Sequence, residues 1–398
     1  MQLLSLTGTA FSEHAFAAHS QRDCILIDLI RFLRTNVLSW IEYIVQKGSL
    51  YYLTRTAKNL KGYLERRAKY LSPLGSEVKI VDEWATDLIR LVAKFGTTML
   101  NKPSSIYYLI PPLCPTGSAI YKHAGKSPDG LILSGITNSA WEDCISCIDF
   151  DKSRATALAC GENVFAVGMR SGTITLFNQA TFQVEQTFQH LEPVKVLRFD
   201  SSCKKFASAG WKSIKLWDRS GELLWHQTLV SPCIAIAFND HSIVGVSKAS
   251  HLTTWDINNG ALLKDRFYRY REPGLPEEKG PQKAPLAAAF SPNLEILALA
   301  YRGQYVCLWD LNNQDFIGCC CRPSEDGSDT VGLSVGTVLF NPNPDVSLLV
   351  IGYQDGDLAI FEPWSQQLIT VVEANALSLA SSPDGHTLAA GDSCGTVQ

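Results

Sequence analysis

Apolar positions recur along this chain with two different periods, and the change falls near residue 102. From Asp23 they come three and four apart. Ile25, Leu29, Phe32 and Leu33 share a face, and Val37, Trp40, Ile41 and Ile44 continue it to Gly48, a residue suited to end a helix. A second helical pattern runs through Leu50, Leu53, Ala57, Leu60, Leu64, Ala68 and Leu71 and stops at Ser72-Pro73. Its other face is basic, with Arg55, Lys58, Lys61, Arg66, Arg67 and Lys69, and is expected to face solvent. A third pattern spans about Val78 to Met99, with Val81, Trp84, Leu88, Leu91, Val92 and Phe95 on one side. Glu77, Asp82, Glu83 and Asp87 sit early in it, where a helix N-terminus favours negative charge. The pattern predicts a helical domain over 23–101, preceded by an irregular stretch at 1–22.

Residues 102–129 form a proline-rich connector. Pro103, Pro111, Pro112 and Pro115 are expected to exclude helix and leave Ile106–Leu113 extended. Ile106, Tyr107, Tyr108, Leu109 and Ile120 are too apolar for a free tether, so the connector is expected to pack.

Beyond residue 130 the period becomes that of short strands. Ala157–Thr187 reads as strand and turn in alternation. Its frame returns at Lys205–Asp218, Ser242–Asp256, Glu295–Asp310 and Ser347–Glu362. Phe177, Trp217, Trp255, Trp309 and Phe361 close the frames, 40, 38, 54 and 52 residues apart. Short strands at Val196–Asp200, Ala235–Asn239, Ala287–Ser291 and Thr337–Asn341 also match one another. A fixed period of this length predicts a solenoid or propeller. The two long gaps hold insertions, Lys264–Lys283 and Cys319–Ser334, expected as surface loops. A sixth frame ends at Cys394–Gln398, before its closing aromatic. The expectation is a truncated ring, a fragment unless Leu131–Phe150 help close it.

Composition adds limits. The 398 residues are 46% hydrophobic and 19% charged, ordinary for globular domains. Residues 1–100 carry 13 Lys/Arg against 9 Asp/Glu, and the remainder 22 against 30. Neither balance is a nucleic-acid footprint. No run of about 18 apolar residues is present, so no membrane span is expected. The 12 scattered cysteines, Cys160 and Cys307 inside strands, and the lack of an N-x-[ST] sequon suit a reducing, cytoplasmic setting.

Candidate chemistry is sparse. Gly125-Lys126-Ser127 lacks the upstream glycine of a phosphate loop, and Pro128 stands where a helix should begin. Cys144 and Cys147 have no second pair at zinc spacing and are expected in a strand or core. Cys319-Cys320-Cys321 reads as a strand end, because neighbouring strand side chains diverge. His190 is expected to hold a sheet together rather than to catalyse. Asp355 is a turn aspartate six residues before its closing aromatic, where the other frames have Ser171, Trp211, Ala249 and Gly303. No paired carboxylates or nucleophile motifs stand out. The chain is therefore expected to be no enzyme and to need no cofactor or metal.

Trp217-Asp218, Trp255-Asp256 and Trp309-Asp310 resemble the closing dipeptides of WD40 repeats, which build β-propellers. Phe32-Leu33-Arg34, Leu38–Glu42, Val81–Ala85, Lys94-Phe95, Pro103–Tyr108, Cys114-Pro115, Ser118–Ile120 and Trp141–Cys144 resemble the fungal NACHT–WD40 proteins, NOD-like, STAND-type relatives of heterokaryon-incompatibility proteins. That resemblance implies a helical bundle coupling a propeller to an upstream nucleotide-binding domain, with roles in non-self recognition and cell death. No Walker motif precedes Asp23, so the switch activity maps to no residue here. The expected fold is α plus all-β: a helical bundle, then a partial propeller of five blades and part of a sixth. The expected function is a non-enzymatic sensor whose faces bind a protein or other ligand. The alternatives are a scaffold subunit of a larger complex and a truncated gene product. Trp211, Tyr301, Tyr305 and Tyr353 are the candidate exposed aromatics.

Overall fold

The computed structural model describes residues 23–70, 75–125, 131, 133, 135, 138–150, 153–268, 284–322, 334–374, 376–392, 394 and 396–398. The irregular start at 1–22, the helix stop at Ser72-Pro73, Lys126-Ser127 and most of both insertions lie outside the described residues. The chain divides after Asp151 into two compact units, with the turn Phe177–Glu185 grouping with the first.

The first unit is helical: α1 (Asp23–Thr35), α2 (Val37–Gln46), α3 (Tyr51–Ala68) and α4 (Ser76–Asn101). Most of each predicted stripe is buried, although Ala68 is exposed and Ile25, Phe32 and Phe95 are half-buried. Leu26, Leu29, Ile30 and Leu33 of α1 meet Leu53, Ala57 and Leu60 of α3 and Val81, Leu88, Leu91 and Val92 of α4 in one core. Gly48 ends α2 in the left-handed region, at φ +74°, as a glycine C′ residue does.

Three expectations fail here. The connector is helical, not extended: α5 (Ser105–Tyr108), α6 (Ile110–Leu113) and α7 (Ala119–Ala124) fill it. Pro111 and Pro112 sit in the first turn of α6, where a backbone N–H has no intrahelical acceptor to lose. Ile106, Ile110 and Ile120 then join the helical core. Asp87 is not an N-terminal charge either. Helix α4 begins at Ser76, so Asp87 lies in its middle, 1% exposed. Its carboxylate accepts from Ile120 N at 2.8 Å and Trp141 Nε1 at 2.7 Å. Burial nonetheless pushes its pKa up to about 6. Arg67, assigned above to the outer basic face, is buried.

The second unit is built of antiparallel sheets, each from consecutive strands. The first contains β1 (Ala155–Cys160), β2 (Val164–Met169), β3 (Thr173–Asn178) and β4 (Val184–Gln189). The second contains β5 (Val196–Phe199), β6 (Lys205–Ala209), β7 (Ser213–Asp218) and β8 (Leu223–Thr228). The third has β9 (Cys233–Asn239), β10 (Ser242–Ser247), β11 (His251–Asp256) and β12 (Leu262–Phe267). The fourth has β13 (Pro285–Phe290), β14 (Ile296–Tyr301), β15 (Val306–Asp310) and β16 (Phe316–Cys320). The fifth has β17 (Val335–Phe340), β18 (Leu349–Tyr353), β19 (Asp357–Glu362) and β20 (Gln367–Glu373). A two-stranded sheet, β21 (Ser378–Ser381) and β22 (Leu388–Gly391), follows.

The first strands of consecutive sheets adjoin, in the order β1, β5, β9, β13, β17, β21. This is the blade arrangement of a β-propeller, and among the described residues the sheets do not close into a ring. The described positions among 131–150 form no strand. Second strands such as β6, β14 and β18 are buried almost throughout, being covered on both faces by neighbouring sheets.

Each closing aromatic is followed by a residue that shapes the next turn. Asp218 Oδ1 accepts from Ser220 N, Asp256 Oδ1 from Asn258 N, and Asp310 Oδ1 from Asn312 N. Asn178 and Glu362 accept likewise in their sheets. A short acidic or amide side chain two residues before a free N–H makes an Asx-type turn. The ladder also slips by one residue at Trp217, Trp255, Trp309 and Phe361. Such a bulge re-aims the side chain it displaces.

Candidate functional site

His190 follows β4, and its N–H donates to Gly172 O, which places it over the next sheet. It is buried. Trp217 Nε1 donates to Ser208 Oγ at 2.8 Å, leaving the serine proton for His190 Nδ1, also 2.8 Å away. The imidazole proton is then on Nε2, facing Glu192 Oε1 at 3.5 Å. Burial and the nearby Lys215 ammonium push the His190 pKa down to about 4, against the opposing pull of Glu192. The ring is a neutral link between Ser208 and Glu192.

The position after the fourth strand explains why this chain of bonds belongs to the second sheet. Leu229, Tyr268 and Ala374 make the backbone bond that His190 makes, to Lys212, Ser250 and Gly356. In the fourth sheet, Tyr268 packs edge-on against Trp309 with ring centroids 5.2 Å apart, so an apolar contact replaces the polar link.

Glu192 is the residue that the sequence does not flag. Its Oε2 accepts from Trp211 N and Lys212 N, both at 2.9 Å, and its Oε1 accepts from Ser213 Oγ. Burial raises its pKa, but the bonds from Ser213, Lys212 and Trp211 outweigh that and hold it below the usual glutamate range. It anchors the β6–β7 turn as a turn aspartate would, from a different strand connection. Gly210 makes room: a Cβ there would fall 2.5 Å from the Glu192 carboxyl carbon. Glu192→Ala is expected to cost about 1–3 kcal/mol, since two N–H groups lose their acceptor. Denaturant unfolding measures this, and an unchanged midpoint would place the anchoring elsewhere.

The anchored turn presents Trp211, 44% exposed. Lys195 Nζ lies 5.1 Å from its ring centroid and Lys248 Nζ 5.5 Å. The other named aromatics go elsewhere. Tyr301 is fully buried and Tyr353 is 5% exposed, so neither offers its ring to a partner. Tyr305 is half-buried. Asp355 accepts from Arg322, which also pairs with Asp357 and covers the Tyr353 ring at 4.9 Å.

All twelve cysteines are free thiols. Cys144 and Cys147 are exposed in irregular backbone, and Cys160 is exposed on β1, contrary to their expected burial. Cys307 is buried and faces Cys319 across β15 and β16, with the sulfurs 3.5 Å apart. Among the described residues no group of three His, Cys, Asp or Glu could hold a metal ion. Among them, too, no helix is long and apolar enough to cross a membrane.

Consecutive four-stranded sheets, turns capped by the residue after an aromatic, and the His190–Ser208–Trp217 bonds define a propeller-type interaction module. Residues 182–218 match the family described as WD domain, G-beta repeat. That segment contains His190, Ser208, Trp217 and Asp218, so the match falls on the sheet that has the polar links. No curated protein matches the chain. Among solved structures, the computationally designed Ika8 protein matches at 21% identity and a TM-score of 0.44, over 61% of this chain and 69% of that one.

Proposed function

We propose that this chain is a non-enzymatic, cytoplasmic interaction module whose sheets carry the recognition surface. The carrying observation is Trp211: a large aromatic held out to solvent by a turn that Glu192 fixes through three bonds. Tryptophan is among the residues enriched at the hot spots of protein interfaces. The helical unit is the coupling element to a nucleotide-binding switch domain. Its support is the resemblance of α1, α2 and α4 to the NACHT–WD40 linker.

Affinity capture with the full chain tests the surface. Trp211→Ala is expected to weaken retention of a partner roughly 30-fold, the effect of a hot-spot residue worth about 2 kcal/mol. Its melting temperature should not change, because the ring is not core. Equal retention by the variant would refute the role of this rim. Capture of one large constitutive complex from growing cells would refute the switch coupling and favour a scaffold.

A further inference from the structure

The rim that presents Trp211 is cationic on an otherwise acidic unit. Arg170, Lys248 and Arg302 each follow the last residue of the second strand in their sheet, and Lys212 lies in the matching turn of the second sheet. Lys195 precedes β5 beside them, bonding Ala209 O through its backbone. The ion pairs of this unit include those of His190, His251 and Arg322, and none of these engages the five cations. Yet residues 152–398 carry 19 Lys/Arg against 25 Asp/Glu. The positive charge is therefore collected at the turns rather than inherited from composition. Apolar groups stand beside it. Leu191 is 82% and Val230 107% exposed, each one residue from a backbone tied to the Trp211 turn or its anchor.

We propose that this rim binds an acidic peptide segment, with carboxylates on Lys195 and Lys248 and an apolar side chain against Leu191, Val230 or the free edge of Trp211. This rests on the interaction reading above and names its partner's chemistry. The indole positions both ammonium groups before binding, so less side-chain freedom is lost on contact. A nucleic acid suits the site less well. The ring that would have to stack a base is already engaged by two cations.

Fluorescence anisotropy with the full chain tests the inference. The probes are three labelled peptides of about fifteen residues with the same leucines and phenylalanine, and Glu, Gln or Lys at the remaining positions. A labelled oligothymidylate of similar length is the fourth. The Glu peptide is expected to bind at least about tenfold more tightly than the Gln peptide, and to weaken several-fold between about 50 and 300 mM salt. Lys195→Glu with Lys248→Glu should abolish that preference, and the double Gln variant should reduce it, with both melting as the parent does. Equal binding of the Glu and Gln peptides, with loss in Trp211→Ala, removes the acidic partner and leaves the interaction surface. If no peptide responds to Trp211→Ala, both readings fall. Tighter binding of the oligothymidylate than of the Glu peptide, displaced by that peptide, also overturns the inference.

Discussion

Trp217→Ala is expected to lower the melting temperature of the sheet unit by about 10 °C. The ring is 6% exposed and packs edge-on against Phe188 at 5.5 Å and stacked on Phe206 at 6.3 Å. Truncating a buried tryptophan removes its transfer energy and leaves a cavity, together about 3–5 kcal/mol. For a unit of this size each kcal/mol shifts the midpoint by roughly 2–4 °C. The indole N–H adds to this, because Ser208 Oγ loses the donor that orients its own proton toward His190. Trp217→Phe separates the two effects. It keeps most of the volume and drops the hydrogen bond, so it should cost only about 1–2 kcal/mol. Equal losses from Ala and Phe would show that packing around the ring contributes little.

The second large effect is a pH dependence of the helical unit. Asp87 has a folded pKa of about 6 against an ordinary 3.8, with burial as the main cause. A raised carboxyl pKa means that the folded state holds its proton more tightly than the unfolded chain. Its contribution is therefore complete below about pH 4 and is lost as pH rises through 6. The difference corresponds to about 3 kcal/mol. The measurement is denaturant unfolding followed at the helical signal from pH 4 to pH 7, comparing the parent with Asp87→Asn. The parent should fall by about 3 kcal/mol relative to the variant across that range and end as the less stable of the two, because asparagine cannot ionise. Its amide must turn one N–H toward a donor, either Ile120 N or Trp141 Nε1, so a constant cost of about 1 kcal/mol remains. Parallel profiles would refute the assignment. His190 acts with the opposite sign in the sheet unit. Its depressed pKa, about 4, makes stability complete above 6.5 and lost as pH falls toward 4.

The architecture was legible because its signals are local. An aromatic followed by Asp marks a strand end and the turn after it, and the Asp works through an N–H two residues on. The helical faces were legible for the same reason, since three- and four-residue steps report a single face, but the break at Asn36 between α1 and α2 was not, because one apolar stripe runs through it. Proline misled where position within a helix mattered more than its presence, as at Pro111 and Pro112. Tyr301 and Tyr353 misled because they were placed by nearness to turns. Their place at the end of a second strand would have located them correctly, since β14 and β18 are buried on both faces. Glu192 was illegible for a different reason. It acts on residues about twenty positions away, and only the fold brings that carboxylate under the turn.

The segment matched as a WD repeat, 182–218, takes the outer strand β4 from one sheet and β5, β6 and β7 from the next. The unit that recurs in the sequence is thus out of phase with the unit that forms a blade. Excising one repeat would strip an edge from one blade and the heart from its neighbour. Gain or loss of a copy is tolerable only when the flanking blades can exchange outer strands. Compatibility between neighbours at β4, β8, β12, β16 and β20, and not the quality of any single repeat, then sets how many blades such a chain can acquire.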